Sequence, residues 1–374
     1  MVMRSRFLAI PFAVLCVSLV FALSRASAQE PEYGPGWKQV AVVEHTGPSS
    51  PEWCDRNCLT AREFKPDSTG DIFLVNVETG QRTRVTSFPY TSTDFCSFDG
   101  SHVAYNRIIP EETTLGLWDF DVKTGKSRKL GRIVDVLAGG PYALASPTEK
   151  TLVVAAYQRR DFLHARFDLP GWKVFYFPRD YRARDDSVRL MWASDGSYFV
   201  LGLRDGRRDR VGHRRYSNGE TMTWITEGKG KMFLEFYDSR GRLLKSLVRG
   251  PDDRFPRFRK ATSDGLYWFG EKDGVFKRLN IKAGYREEEV PLPGAPVPDR
   301  GRYGFDISCR GEIAYEDHGK IWMVPGPDSE AVPTLVAEGA FPRFSPTGEY
   351  MAILGDEPDS WRLIVLKRDI KDER

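Results

Sequence analysis

The chain of 374 residues lacks the sequence signatures of several enzyme classes. It has no Gly-x-Ser-x-Gly nucleophile elbow, no His-Glu-x-x-His zinc motif and no Cys-x-x-Cys-His haem-attachment motif. Histidine is scarce. The chain has only five, and they are spread along its length. The missing elbow excludes a serine-hydrolase domain of the α/β type. No cofactor and no metal site are predicted from these residues.

An excess of charge of either sign is also missing once the N-terminal segment is set aside. The full chain has 55 basic and 52 acidic residues, and three of the arginines lie in residues 1–28. The remaining chain is therefore balanced, with 52 residues of each sign. A balanced chain has no global attraction to polyanions. Nucleic acid is not a predicted partner.

Long apolar runs are absent apart from residues 7–23, which follow Arg4 and Arg6 and precede the small residues Ala26-Ser27-Ala28. This run is shorter than the roughly 18 residues of a membrane-spanning helix, and a cleavage-type sequence follows it. We therefore predict that residues 1–28 are a signal peptide cleaved after Ala28. The mature protein would be secreted or periplasmic, without an integral membrane segment.

Cysteine is sparse but informative, since an exported protein meets an oxidising compartment. Cys54, Cys58, Cys96 and Cys309 remain after cleavage. Cys54 and Cys58 lie in one polar loop and are the disulfide candidate, with a bond from either of them to Cys96 as the alternative. Cys96 and Cys309 occupy matching places in different repeats and are expected to lie far apart. We expect one loop disulfide and buried thiols otherwise.

What the chain does have is a turn phrase of the type Ser-x-Asp-Gly, each copy followed by an apolar run. The copies recur at intervals of roughly 40 to 50 residues, with one exception, which is typical of stacked small sheets. They begin at Ser97, Ser146, Ala193, Thr262, Ser308 and Ser345.

A second recurring unit is an alternating strand, a tight turn with glycine, and another strand. Its turn glycines are Gly80, Gly125, Gly241 and Gly284. Together the two units predict an all-β fold, a β-propeller of four-stranded antiparallel blades, and disfavour a β-sandwich. Seven blades with short terminal blades fit best. Six is the alternative, in which an N-terminal strand completes the last blade.

The repeated phrase resembles the repeats of the TolB-like propeller family over nearly all of residues 29–374, which we predict to be a single domain. The resemblance is to the propeller and not to TolB as a whole, because too few residues precede the first repeat for an additional α/β domain. It implies a propeller fold. It leaves the activity open, because that family includes scaffolds, peptidase gates and a few lyases.

The largest departure from the period lies between Ala193 and Thr262, where an arginine-rich insertion occupies about residues 204–230. Extra loops on a rigid scaffold often carry binding function, and guanidinium groups suit carboxylates and phosphates. We predict a protein partner or an anionic glycan as the ligand. A solvated hairpin with internally paired charges is the competing interpretation. The candidate ligand-binding residues are Arg204, Arg207, Arg208, Arg210, His213, Arg214, Arg215 and Trp224.

Two hypotheses about function follow from these patterns. The first is a binding or scaffold propeller without chemistry of its own. The alternative is a metal-assisted lyase or hydrolase that acts on an acidic saccharide at the channel mouth, with Asp94 and Asp306 expected near the inner strands. Most of the tryptophans alternate with apolar strand residues, which predicts packing between blades. These include Trp118, Trp192, Trp268 and Trp322.

Overall fold

In a computed structural model the chain forms a seven-bladed β-propeller, which confirms the predicted fold class. Within the part of the chain that is described, every regular element is a β-strand. The structure describes residues 33–45, 51–64, 70–86, 92–97, 99–109, 114–133, 142–157, 171–179, 190–204, 210–215, 221–226, 231–250, 255–256, 258–270, 275–292, 304–327, 330–355 and 362–369.

The described strands follow one another with short connections in most of the chain. In order they are β1 (Trp37–Glu44), β2 (Cys58–Phe64), β3 (Gly70–Asn76), β4 (Arg82–Thr86), β5 (Ser92–Cys96), β6 (His102–Ile109), β7 (Thr114–Asp121), β8 (Lys126–Ile133), β9 (Tyr142–Ala145), β10 (Thr151–Tyr157), β11 (Lys173–Arg179), β12 (Met191–Trp192), β13 (Tyr198–Arg204), β14 (Arg210–Arg215), β15 (Thr221–Thr226), β16 (Met232–Asp238), β17 (Leu243–Arg249), β18 (Lys260–Thr262), β19 (Gly265–Phe269), β20 (Phe276–Asn280), β21 (Arg286–Glu289), β22 (Phe305–Ile307), β23 (Ile313–Asp317), β24 (Lys320–Val324), β25 (Thr334–Glu338), β26 (Ala340–Phe344), β27 (Tyr350–Leu354) and β28 (Arg362–Arg368).

Seven of the sheets are blades, which we number along the chain. Blade 1 is β2–β4, blade 2 is β5–β8 and blade 3 is β9–β11. Blade 4 is β12, β13, β16 and β17, blade 5 is β18–β21, and blade 6 is β22–β25. Blade 7 is β26, β27, β28 and β1. The eighth sheet is a hairpin of β14 and β15, inserted between two strands of blade 4.

Two blades depart from the regular pattern. In blade 1 the innermost position is taken by the segment around Trp53, which forms one isolated bridge to Leu59. In blade 3, β11 runs parallel to β10, in register from Thr151 with Lys173.

The ring is closed by the N-terminal strand. β1 pairs antiparallel with β28, from Trp37 opposite Arg368 to Glu44 opposite Arg362, and so becomes the outer strand of blade 7. The last repeat therefore contains only three strands of its own sequence, although its blade is complete. This pairing removes a free sheet edge at the seam. The alternative count of six blades is wrong.

The six turn phrases join the innermost strand of a blade to its second strand in blades 2 to 7. In the four phrases that begin with serine, the serine hydroxyl stabilises the turn by accepting a backbone N–H. The Ser345 hydroxyl accepts a hydrogen bond from the backbone N–H of Tyr350 at 3.0 Å. The Ser97 hydroxyl does the same for the N–H of His102 at 2.9 Å.

The glycine of the phrase is required for two reasons. Gly196 has a φ angle of 70°, in the region that favours glycine. A Cβ atom at Gly196 would also lie 2.1 Å from Thr148 Oγ1, in the turn of the preceding blade. At Gly100, where φ is 64°, a Cβ atom would lie 2.8 Å from Asp55 Oδ2 of blade 1. The turns of neighbouring blades therefore touch each other beside the innermost strands of the ring, which we call the hub.

The hydrophobic core lies between the faces of adjacent blades. One cluster combines Tyr198 and Leu234 of blade 4 with Trp268 of blade 5. The aromatic rings of Trp192 and Phe199 are 4.9 Å apart at their centroids. The prediction that most tryptophans pack between blades is confirmed for Trp118, Trp192, Trp268 and Trp322.

The disulfide joins Cys54 to Cys96, so the expected Cys54–Cys58 pairing is wrong. The reason is the contact between blades 1 and 2. Cys54 is on the innermost segment of blade 1 and Cys96 ends the innermost strand of blade 2, and their Cα atoms are 4.8 Å apart. Cys58 remains a half-buried thiol. Cys309 is exposed, which also corrects the expectation of buried free thiols.

The hydroxyl of the turn phrase provides a test of this fold. Replacement Ser345→Ala leaves the N–H of Tyr350 buried without its partner, which we expect to cost about 1–3 kcal/mol of unfolding free energy. Urea unfolding followed by tryptophan fluorescence measures this loss. Ser127→Ala, at an exposed serine, is the matched control and should stay within about 0.5 kcal/mol of the wild type. Equal effects of the two substitutions would contradict the role of the turn hydroxyl.

Candidate binding face

The strand order gives the propeller two distinct ends. The turn phrases follow the first strand of a blade and the glycine hairpins follow the third, so in an antiparallel blade both lie at the same end. We call this end the turn face. The opposite end, which we call the insertion face, carries the connections from second to third strands. The hairpin of β14 and β15 emerges there, between β13 and β16.

The blade beneath the hairpin is complete without it. β13 and β16 pair directly and in unbroken register, from Tyr198 opposite Asp238 to Arg204 opposite Met232. β14 and β15 pair only with each other, from Arg210 opposite Thr226 to Arg215 opposite Thr221. The hairpin therefore adds nothing to the hydrogen bonding of blade 4.

The backbone places most of the predicted ligand-binding residues on this hairpin. β14 contains Arg210, His213, Arg214 and Arg215, whereas β15 contains Trp224 opposite Gly212. Arg204 is the last residue of β13, at the base of the hairpin. Arg207 and Arg208 lie outside the described residues.

Strand alternation divides these positions between the two faces of the ribbon. Successive residues of a strand alternate in direction, and directly opposed residues share a face. Positions 210, 212 and 214 therefore share one face with positions 222, 224 and 226. Positions 211, 213 and 215 share the other face. The sequence of the hairpin could not show this division, because it depends on the register.

The hairpin concentrates positive charge on a chain that is otherwise balanced. Residues 204–230 contain seven lysines and arginines against four acidic residues. The paired strands β14 and β15 themselves contain three arginines and no acidic residue. Within these two strands there is thus no carboxylate that could neutralise the arginines.

A second polar site lies along the innermost strands. Of its residues, only Asp306 was a candidate from the sequence. We define the channel row as the residue two positions before the first residue of each turn phrase. In blade 1 the equivalent residue is Glu52, because Cys54 N–H bonds Cys58 O just as Ser308 N–H bonds Glu312 O. The row consists of Glu52, Phe95, Leu144, Met191, Lys260, Asp306 and Arg343.

The charged members of the channel row occupy four consecutive blades, 5, 6, 7 and 1. Lys260 Nζ lies 2.6 Å from Asp306 Oδ1. The other oxygen of this buried carboxylate accepts a hydrogen bond from the N–H of Phe344 at 2.8 Å. Arg343 Nη1 donates to the carbonyl of Phe305 at 3.1 Å. These contacts form a series of charged groups that links the innermost strands of blades 5 to 7.

Glu52 stands at the end of this charged series. Its side chain reaches solvent, but protein surrounds it inside the ring, and this desolvation raises the pKa of the Glu52 carboxyl above its ordinary value. The nearby Arg343 and Arg62 oppose the shift without cancelling it. Carboxyl groups whose pKa is raised by desolvation are common at binding and catalytic sites.

The raised pKa of Glu52 predicts the sign of a substitution. Its ionisation opposes folding, so Glu52→Gln should increase stability at neutral pH. The gain should disappear as the pH falls below the ordinary carboxyl pKa of about 4.3, because both proteins are then uncharged at this position. Urea titrations of wild type and variant between about pH 3.5 and pH 7.5 measure this gain. A variant that is less stable at neutral pH would contradict this account.

Three of the histidines form hydrogen bonds at separate places in the structure. His45 Nδ1 accepts a hydrogen bond from the N–H of Arg62 at 3.1 Å. His102 Nδ1 is 3.1 Å from Asp119 Oδ1, and His318 Nδ1 is 2.8 Å from Asp317 Oδ1. Among the residues described, no three histidine, cysteine or acidic side chains are grouped as a metal site would require. His164 lies outside them.

The His102–Asp119 pair predicts a pH-dependent stability. The hydrogen bond to the buried Asp119 raises the pKa of His102 above its ordinary value. The contribution of the protonated pair is complete below the ordinary pKa of about 6.5 and is lost as the pH rises through the higher folded-state pKa. The stability difference between wild type and His102→Gln should therefore shrink on going from about pH 5.5 to pH 8.5. A difference that grows with pH would contradict it.

No protein-family model matches the chain, and no curated protein matches it. Solved structures similar to it include TolB from Acinetobacter baumannii, at 10% identity and a TM-score of 0.40, covering 97% of this chain and 71% of that one. Oligogalacturonate lyase from Vibrio parahaemolyticus is 10% identical with a TM-score of 0.44, covering 90% and 96%.

A third similar structure is the β-propeller domain of the trilobed protease from Pyrococcus furiosus, at 12% identity and a TM-score of 0.36, covering 78% of this chain and 94% of that one. None of the described residues forms a helix long and apolar enough to cross a bilayer. The fold assignment rests on the sheet topology of the chain itself.

Proposed function

We propose that the chain is an exported binding propeller that engages an acidic partner, a protein surface or an anionic glycan, through its insertion face. The observation that carries the proposal is the hairpin of β14 and β15. It is rich in arginine, and blade 4 is fully paired without it. A segment that the blade does not need for its own hydrogen bonding is available for a ligand.

The chemistry of the hairpin favours carboxylate or phosphate groups on the partner. Arginine binds such groups with paired N–H donors, and a tryptophan opposite Gly212 adds a flat apolar surface at the same ribbon. The disulfide between Cys54 and Cys96 supports export, because disulfides persist in oxidising compartments.

The test removes charge from one ribbon face and compares it with the opposite end of the ring. Arg210→Glu combined with Arg214→Glu should weaken binding to immobilised polyglutamate or polygalacturonate about tenfold or more. The control, Lys123→Glu with Lys126→Glu, makes the same change of charge at exposed residues of the turn face. It should leave retention nearly unchanged, and circular dichroism should report a folded propeller for both variants.

Equal loss of retention in the two variants would show attraction without a defined site and would contradict the proposal. Unchanged retention of the hairpin variant would contradict it as well. The same incubations discriminate the enzymatic alternative. Shortening of polygalacturonate by the wild-type protein would favour a lyase or hydrolase over a binding module.

A further inference from the structure

Three of the four cysteines after the predicted signal meet at the contact between blades 1 and 2. Cys54 and Cys96 form the disulfide, and Cys58 packs against the same apolar cluster, which includes Ile72 and Val103. Cys58 is therefore a free thiol beside a disulfide in one small region.

The backbone places Cys58 directly opposite Cys54. The N–H of Cys54 donates to the carbonyl of Cys58 at 2.8 Å, next to the bridge between Trp53 and Leu59. Residues opposed in this way across an antiparallel pair have Cα atoms about 5.5 Å apart, with their side chains on the same face. A disulfide requires a Cα separation of roughly 4.4–6.8 Å. Cys54 is thus in reach of two partners.

We propose that Cys54, Cys58 and Cys96 form a disulfide exchange site with two alternative bonds, Cys54–Cys96 between blades 1 and 2 and Cys54–Cys58 within blade 1. The thiolate of Cys58 attacks the sulfur of Cys54. The bond between the Cys54 and Cys58 sulfurs forms as the bond to Cys96 breaks, and Cys96 leaves as a thiolate. The proton released by Cys58 to solvent is balanced by the proton that Cys96 takes up, and no oxidant is consumed.

The surroundings of Cys58 hold this exchange back. Desolvation, together with Asp55, raises the pKa of the Cys58 thiol to about 12. Asp55 Oδ1 accepts the N–H groups of Asn57 and Cys58, which fixes the carboxylate beside the thiol. Little thiolate exists at neutral pH, so the rate should rise about tenfold for each pH unit below this pKa.

The exchange would change which parts of blades 1 and 2 are joined by a covalent bond. The Cys54–Cys96 bond joins residues 42 positions apart and ties two blades together. The Cys54–Cys58 bond closes only the loop within blade 1. The neighbouring contact of Gly100 with Asp55, where the turn of blade 2 meets blade 1, would lose its covalent support.

The first experiment asks whether the second bond is compatible with the fold. Cys96→Ser is incubated with oxidised glutathione and mapped by mass spectrometry after alkylation. We expect Cys54 to be bonded to Cys58, with circular dichroism unchanged. Cys58→Ser is the matched control and should keep Cys54 bonded to Cys96. If Cys54 and Cys58 both remain open to alkylation in folded Cys96→Ser, the proposal is overturned.

The second experiment follows exchange in the wild-type protein. Samples held at pH values from about 7 to 9 are quenched with acid and then alkylated with N-ethylmaleimide. Label on Cys96 reports the exchanged form, and the exposed Cys309 is the internal standard for complete alkylation. We expect label on Cys96 to accumulate faster as the pH rises, by about tenfold per unit. Label confined to Cys58 and Cys309 at every pH would overturn the proposal.

Discussion

The contact between successive turns at the hub is the constraint on which the ring depends. In four of the six turns, those that begin at Ser97, Ser146, Ser308 and Ser345, the hydroxyl of the first residue accepts a backbone N–H. The glycine that follows brings the turn against its neighbour, as Gly196 does against Thr148. Neither group can be replaced freely, because one satisfies a buried donor and the other leaves no room for Cβ. Such contacts hold the turn of blade 4 against that of blade 3 and the turn of blade 2 against blade 1.

The same turn explains why the fold was predictable from sequence. Its residues act locally, so their spacing reveals the blade boundaries without knowledge of distant contacts. Features that depend on distant contacts were left open by the sequence, which offered closure by an N-terminal strand and a bond to Cys96 only as alternatives. β1 completes blade 7 only through its pairing with β28, and Cys54 meets Cys96 only because blades 1 and 2 touch. The parallel strand β11 and the charged channel row are likewise products of register and not of any local motif.

The candidate site shows the same division between local and distant information. The arginines were recognisable because they interrupt the period, whereas the position of Arg210 opposite Thr226 and of Arg214 opposite Met222 follows from strand pairing. The charges of the channel, from Lys260 to Arg343, come from separate repeats and meet only in the ring. A regular scaffold thus carries one irregular segment at its insertion face and one charged side within its channel.

The central claim is that the propeller is structurally independent of its hairpin and binds through it. The direct measurement is the retention on polyglutamate of a chain in which Asn-Gly replaces residues 205–231, a tight turn that joins Arg204 to Met232. Because β13 and β16 pair without the hairpin, this shortened chain should fold with an unchanged thermal unfolding midpoint and should not be retained. A folded shortened chain that is retained as strongly as the full-length protein would contradict the account.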